Sequence, residues 1–337
     1  MKKGVTVYQI LIGIVVAIIF TLFILTFTKG GVEYEIEPET LESLTPAEKA
    51  ELQSYKKYAF KYTYIIESTG YVPKFSFKLP LPVTEEGKQY ITERKLSIKP
   101  ARVYKSEENE VAEILLKDLH EGQTQISISG VAKVRTYNLL NAQMLKLPFK
   151  PEKYINRYLK EEKNIEISSP IVQKIANSIS GNTQEELVDN IYNYVTSKTQ
   201  YTQFVGKPSA ELTLKTKRGK CIDLSLAMVA LCRAKGIPAR IVSGNIAREF
   251  DPNHTWVEVY LDKYGWFSYD PTIQLAYVNY YKNGMFEKRV QHKTRPKLRY
   301  IISYRNAYSP WFINYETEDA DIDKLYIFSK TEIKEIK

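Results

Sequence analysis

Cysteine and histidine are scarce in this chain, two of one and three of the other among 337 residues, and each scarcity excludes a class of chemistry. Neither cysteine belongs to a C-x-x-C ligand pair, so a structural zinc site is not expected. No EF-hand loop or other oxygen-ligand cluster occurs, so neither calcium dependence nor any other cofactor is expected. Cys221 and Cys232 lie on one helical pattern. At 1.5 Å per residue their spacing is about 16 Å, whereas bridged α-carbons need to be within roughly 7 Å, so an oxidising exterior does not pair them. There is no internal repeat and no low-complexity tract. Lys and Arg number 48 against 39 Asp and Glu, a net charge of +9, which suits an anionic membrane surface or an acidic wall polymer. No Lys/Arg cluster is interleaved with a nucleic-acid-binding motif, so nucleic acid is not an expected partner.

Charge is absent altogether from Val5 to Thr28. At 1.5 Å per residue that stretch can cross a hydrocarbon core of about 30 Å, so a single transmembrane helix is expected. The apolar run Ile10 to Phe27 exceeds the roughly 7 to 15 residues of a cleavable signal peptide, and no A-x-A pattern follows, so the segment reads as an uncleaved signal anchor. Lys2 and Lys3 precede it, and Glu33, Glu35, Glu37 and Glu39 follow Lys29 on the far side. Positive charge favours the cytoplasmic side, which places the N-terminus inside and the bulk of the chain outside the cell membrane.

Beyond the anchor, Thr45, Pro46 and Glu48 form a helix start, with Thr45 as cap and Pro46 in the first turn. Tyr58, Phe60, Tyr62, Tyr64 and Ile66 then alternate with Lys57, Ala59, Lys61 and Thr63, the period of a strand with one buried face. Further strand patterns run from Lys74 to Leu79, Glu110 to Leu116 and Thr124 to Thr136, and the region reads as a small all-β sandwich with a spacer or binding role. After residue 150 the period changes. Ile171, Ile175 and Ile179 follow the cap Ser169 and Pro170, and Leu187, Ile191 and Val195 follow a cap at Asn182 or Thr183.

The chemistry concentrates downstream of these helices. Gly219-Lys220-Cys221 opens an apolar run that ends at Lys235-Gly236 and Pro238, a buried helix with a cysteine at its start. Unpaired amides and the helix dipole at that end stabilise a thiolate, which makes Cys221 a candidate nucleophile. Cys232 reads as core packing. His254 to Leu261 and Trp266 to Asp270 form a hairpin whose open end holds both His254 and Asp270. Asp270 can then accept a hydrogen bond from one imidazole nitrogen and orient the other toward a sulfur. Taken singly, a cysteine in a core, a histidine at a strand start and an aspartate before proline are ordinary; their joint placement points to nucleophilic catalysis.

The segments G-K-C-I-D, R-A-K-G-I-P-A-R (Arg233 to Arg240), H-T-W-V-E-V and G-W-F-S-Y-D-P-T, within residues 185 to 275, resemble the transglutaminase-like superfamily. The resemblance implies Cys221 as nucleophile, His254 as base and Asp270 as its orienting carboxylate. Animal transglutaminases hold the oxyanion with a tryptophan upstream of the cysteine, but tryptophan occurs here only at 256, 266 and 311. The Cys221 amide supplies one oxyanion donor, and Gln203 is the nearest upstream amide side chain for a second. The expected fold is α+β: cytoplasmic tip and transmembrane anchor in residues 1–30, a β-sandwich with a short leading helix in 31–150, a transglutaminase-like (papain-like) domain in 151–275, and a Tyr-rich extension in 276–337 packing on that domain. The central Cys-bearing helix of the third segment should pack on an antiparallel sheet. The expected function is acyl transfer or hydrolysis at peptide or carboxamide bonds, by a peptidase, amidase or protein-glutamine acyltransferase acting on a surface protein or cell-wall peptide. A catalytically inactive surface module with a binding or scaffolding role is the alternative.

Overall fold

The structure, a computed structural model, describes residues 46–106, 109–135, 155–202, 206–247, 254–272, 300–305, 314–316 and 322–337. The expected anchor, Thr45, the oxyanion candidate Gln203 and the turn at residues 251–253 lie outside these residues. Among the described residues no helix is long and apolar enough to cross a membrane.

After helix α1 (Pro46–Gln53), strand β1 (Lys56–Ser68) buries Tyr58, Phe60, Tyr62, Tyr64 and Ile66 and turns Lys57 and Lys61 outward, as its alternation requires. Strands β2 (Val72–Leu81), β3 (Gln89–Leu96), β4 (Arg102–Ser106), β5 (Asn109–Leu119) and β6 (Gly122–Val134) complete this part of the chain. Their inward residues form one core that includes Phe75, Phe77, Leu79, Ile114, Ile126 and Ile128.

The two sandwich sheets are closed by strands from the far end of the sequence. β13 (Asn314–Glu316) joins β2, in the order β13-β2-β5-β4, and β14 (Leu325–Ile336) joins β1, in the order β14-β1-β6-β3. The β14 register runs antiparallel from Lys57↔Ile336 to Ser68↔Leu325, and Ile333 enters the sandwich core. The expectation that the C-terminal extension packs on the transglutaminase-like domain is corrected for these two strands, because β1 and β2 each presented an edge that they cover. β12 (Tyr300–Arg305) instead pairs with the sheet of the other half.

That other half begins with a 3-10 turn, Ile155–Leu159, followed by α2 (Pro170–Ser178), α3 (Gln184–Lys198), α4 (Ala210–Thr216) and α5 (Cys221–Ala234). Thr183 rather than Asn182 caps α3, its hydroxyl accepting from the Glu186 amide at 3.1 Å. Ser169 occupies the cap position of α2, but its hydroxyl has no partner there. Nearly all of α5 is buried, and Gly236 ends it at φ 74, the left-handed conformation a glycine adopts cheaply. The helix packs on the sheet β11-β10-β9-β12, where β9 is Ala239–Ile246, β10 is His254–Leu261 and β11 is Gly265–Tyr269. Val257, Val259 and Leu261 of β10 share a core with α5, whereas Trp256 packs with Val242, and Tyr260 packs with Tyr158 and Trp266. The sheet is therefore buried on both faces. Ala247, just past β9, belongs to the sandwich core, so the two halves share buried surface within the single compact unit Glu39–Lys337.

Candidate active site

Cys221 is the first residue of α5 and is partly exposed, while Cys232 is fully buried. Burial pushes the Cys232 thiol up to about 12, against the opposing charge of Arg233, so that cysteine is packing. The G-K-C-I-D spacing has a steric reason. Asp223 folds back so that its carboxylate accepts from the Lys220 amide at 3.0 Å, which satisfies a donor at the helix entrance. Its β-carbon would lie 2.7 Å from any β-carbon at position 219, and the Thr213 methyl 3.3 Å away, so only glycine fits there. Burial raises the Asp223 carboxyl against the Lys220 hydrogen bond and charge. A second tie fixes α5 to the hairpin: the Ser225 hydroxyl donates to the carbonyl of Thr255, next to His254, at 3.3 Å.

His254 opens β10 with its side chain 11% exposed, and its Nε2 lies 2.6 Å from Oδ2 of Asp270, which is 1% exposed. That bond leaves Nδ1 as the ring nitrogen for a thiol. The imidazole stacks on Trp256 at a centroid distance of 6.0 Å and 19° between planes. Burial alone would lower its basicity, but the Asp270 charge and hydrogen bond, with a further hydrogen bond and charge interaction from Cys221, push it up to about 10. An imidazolium is therefore the favoured form near neutral pH, held by the Asp270 side chain on one side and facing Cys221 on the other.

Asp270 follows β11 directly and is held at three points. Oδ2 meets His254, Oδ1 accepts from the Thr272 amide at 3.0 Å across Pro271, and its carbonyl accepts from the buried Tyr192 hydroxyl at 3.3 Å. The Asp-Pro-Thr triplet is thus an Asx turn that aims the carboxylate.

The structure brings Cys221, His254 and Asp270 together. β7 (Gln200–Tyr201) runs parallel to β8 (Arg218–Gly219), and the Thr202 amide donates to the Gly219 carbonyl at 2.9 Å. This places Thr202 beside the entrance of α5. Among the described residues no group of three or more His, Cys, Asp or Glu side chains is arranged to hold a metal ion. Sequence reasoning overlooked the roles of Trp256, Thr272, Ser225 and Asp223. Trp256 was signalled by its i+2 position on the face of His254, and Thr272 by its place two residues after an aspartate.

A sequence profile described as Transglutaminase-like superfamily matches residues 173–271. The chain is 31% identical over 104 residues to the uncharacterized protein YebA of Bacillus subtilis (strain 168), a match that covers 26% of this chain and 14% of that protein. It is 39% identical over 72 residues to a protein-glutamine gamma-glutamyltransferase of Pseudomonas aeruginosa, covering 18% of this chain and 11% of that one. The matched segments are thus a small part of the length of both relatives. A solved structure of a proposed cysteine protease from Cytophaga hutchinsonii shares the fold at a TM-score of 0.59 and 16% identity, covering 84% of this chain and 92% of that chain. From residue 173 to residue 271 this chain therefore carries a domain of the transglutaminase-like superfamily.

Proposed function

We propose that the chain is a membrane-anchored, extracytoplasmic cysteine enzyme that performs acyl transfer or hydrolysis at peptide or carboxamide bonds. The observation that carries this reading is the 2.6 Å contact between His254 and Asp270 beside a partly exposed cysteine at a helix N-terminus. In the proposed reaction the Cys221 sulfur attacks the carbonyl carbon of a carboxamide, a C–S bond forms, and the oxyanion points at the Cys221 amide. The C–N bond then breaks as the His254 imidazolium gives its proton to the departing amine. An amine or water attacks the resulting thioester, His254 takes the proton of that nucleophile, and the sulfur leaves as a thiolate. The transferase activity named for the Pseudomonas relative and the peptidase activity proposed for the Cytophaga protein are two outcomes of the same thioester, differing only in what attacks it. The apolar stretch from Val5 to Thr28 supports the anchor, and its flanking charges support an external site acting on surface protein or wall peptide.

A site-resolved alkylation experiment tests the reading. With chloroacetamide and mass spectrometry across pH, Cys221 should react at least about tenfold faster below pH 8 in the wild type than in His254→Ala, while the fully buried Cys232 stays slow in both. Equal Cys221 rates in the two proteins would turn the chain into the non-catalytic binding module, the second reading.

A further inference from the structure

On the face of β10 that carries His254 and Trp256, the next residue is Glu258, a carboxylate with no solvent exposure. An anion in that position is stable only if it is paired and its remaining lone pairs are hydrogen-bonded. Arg240 lies directly across on β9 and donates through Nε at 2.8 Å and Nη2 at 2.6 Å, both to Oε2. Its guanidinium is itself held, with the Trp266 ring 3.8 Å below it and the Tyr158 hydroxyl 3.3 Å from Nη1. The other oxygen, Oε1, receives Lys88 Nζ at 3.1 Å. Lys88 belongs to the turn before β3 of the sandwich, where Glu85 lies 2.9 Å from the same ammonium, and its side chain is only 12% exposed. Burial raises the Glu258 carboxyl, and Lys88 and Arg240 together outweigh it, so the group stays ionised.

We infer that Lys88 is a positioning residue for the catalytic histidine, and that the sandwich is thereby a working part of the site rather than a spacer. The lysine reaches out of the sandwich to hold Glu258. Glu258 fixes the register and height of β10 against β9, and two residues away on the same face Trp256 supports the imidazole. Without Lys88, one oxygen of a buried carboxylate has lost its cation, and β10 relieves that by shifting or admitting water. Either response moves His254 relative to Cys221 on α5, a displacement to which the sulfur–imidazole contact is steeply sensitive.

The inference rests on the Cys–His–Asp reading, and two readouts on the full chain separate the two. Lys88→Met should slow Cys221 alkylation at neutral pH by about tenfold and flatten its pH profile, with Cys232 unaffected. Lys88→Arg should restore most of the rate, because it returns a cation to Oε1 of Glu258. Hydrogen exchange of the β10 amides should rise in Lys88→Met and return toward wild type in Lys88→Arg. Wild-type alkylation and wild-type exchange in Lys88→Met overturn the inference. If wild-type Cys221 is itself inert, the catalytic reading fails, and the positioning claim then stands or falls on exchange in β10.

Discussion

At the scale of single residues, the candidate site is built from short-range geometric necessities. Gly219 is present because the β-carbon of Asp223 occupies the space a side chain would need. Gly219→Ala should therefore destabilise the fold by about 1–3 kcal/mol and slow Cys221 alkylation, since relief of the overlap displaces the entrance of α5. Urea unfolding of the variant reads the first effect, and a wild-type midpoint would show that the approach is not constraining. Asp270 illustrates the same economy: its two carboxylate oxygens meet His254 of β10 and the amide two residues on in its own turn, and its carbonyl meets Tyr192 of α3.

Among the elements, β14 shows how one face of a strand carries its energetics. Ile333 is 5% exposed in the sandwich core, whereas Tyr326 on the outward face is 53% exposed. Ile333→Asp should cost about 3–5 kcal/mol by placing an unpaired charge in that core. Tyr326→Ser should fall within about 0.5 kcal/mol of wild type. Comparable losses for the two would mean that β14 does not pack as described. The helices follow the same logic. In α3 the buried stripe is Val188, Ile191, Tyr192 and Val195, with Leu187 at its margin, and the stripe places the Tyr192 hydroxyl under Asp270. A helix whose sequence shows only a cap and an apolar spacing thus also anchors the carboxylate.

Across the whole molecule, stability and protonation are linked through His254. Its folded-state value of about 10 lies above the ordinary 6.5, so the folded protein binds the proton more tightly than the unfolded chain does. The contribution is complete below about pH 6.5 and is lost as pH rises through about 10. Denaturation midpoints at pH 6, 8 and 10 should fall more steeply for the wild type than for Asp270→Asn, which lacks the carboxylate that holds the proton. Parallel slopes would remove the coupling. The sequence alone was enough for the placement of Cys221 at a helix start and of His254 and Asp270 at the open end of a hairpin, because both depend on local period, turn residues and spacing. Strand alternation likewise located β1, β2, β5 and β6, since a one-sided core leaves its period in the chain. Only the tertiary structure could decide that Leu325–Ile336 lies beside Lys56–Ser68, or that Lys88 meets Glu258. Strand partners and buried ion pairs are selected by complementarity between surfaces far apart in the chain, and periodicity within a segment carries no record of which distant surface will cover it.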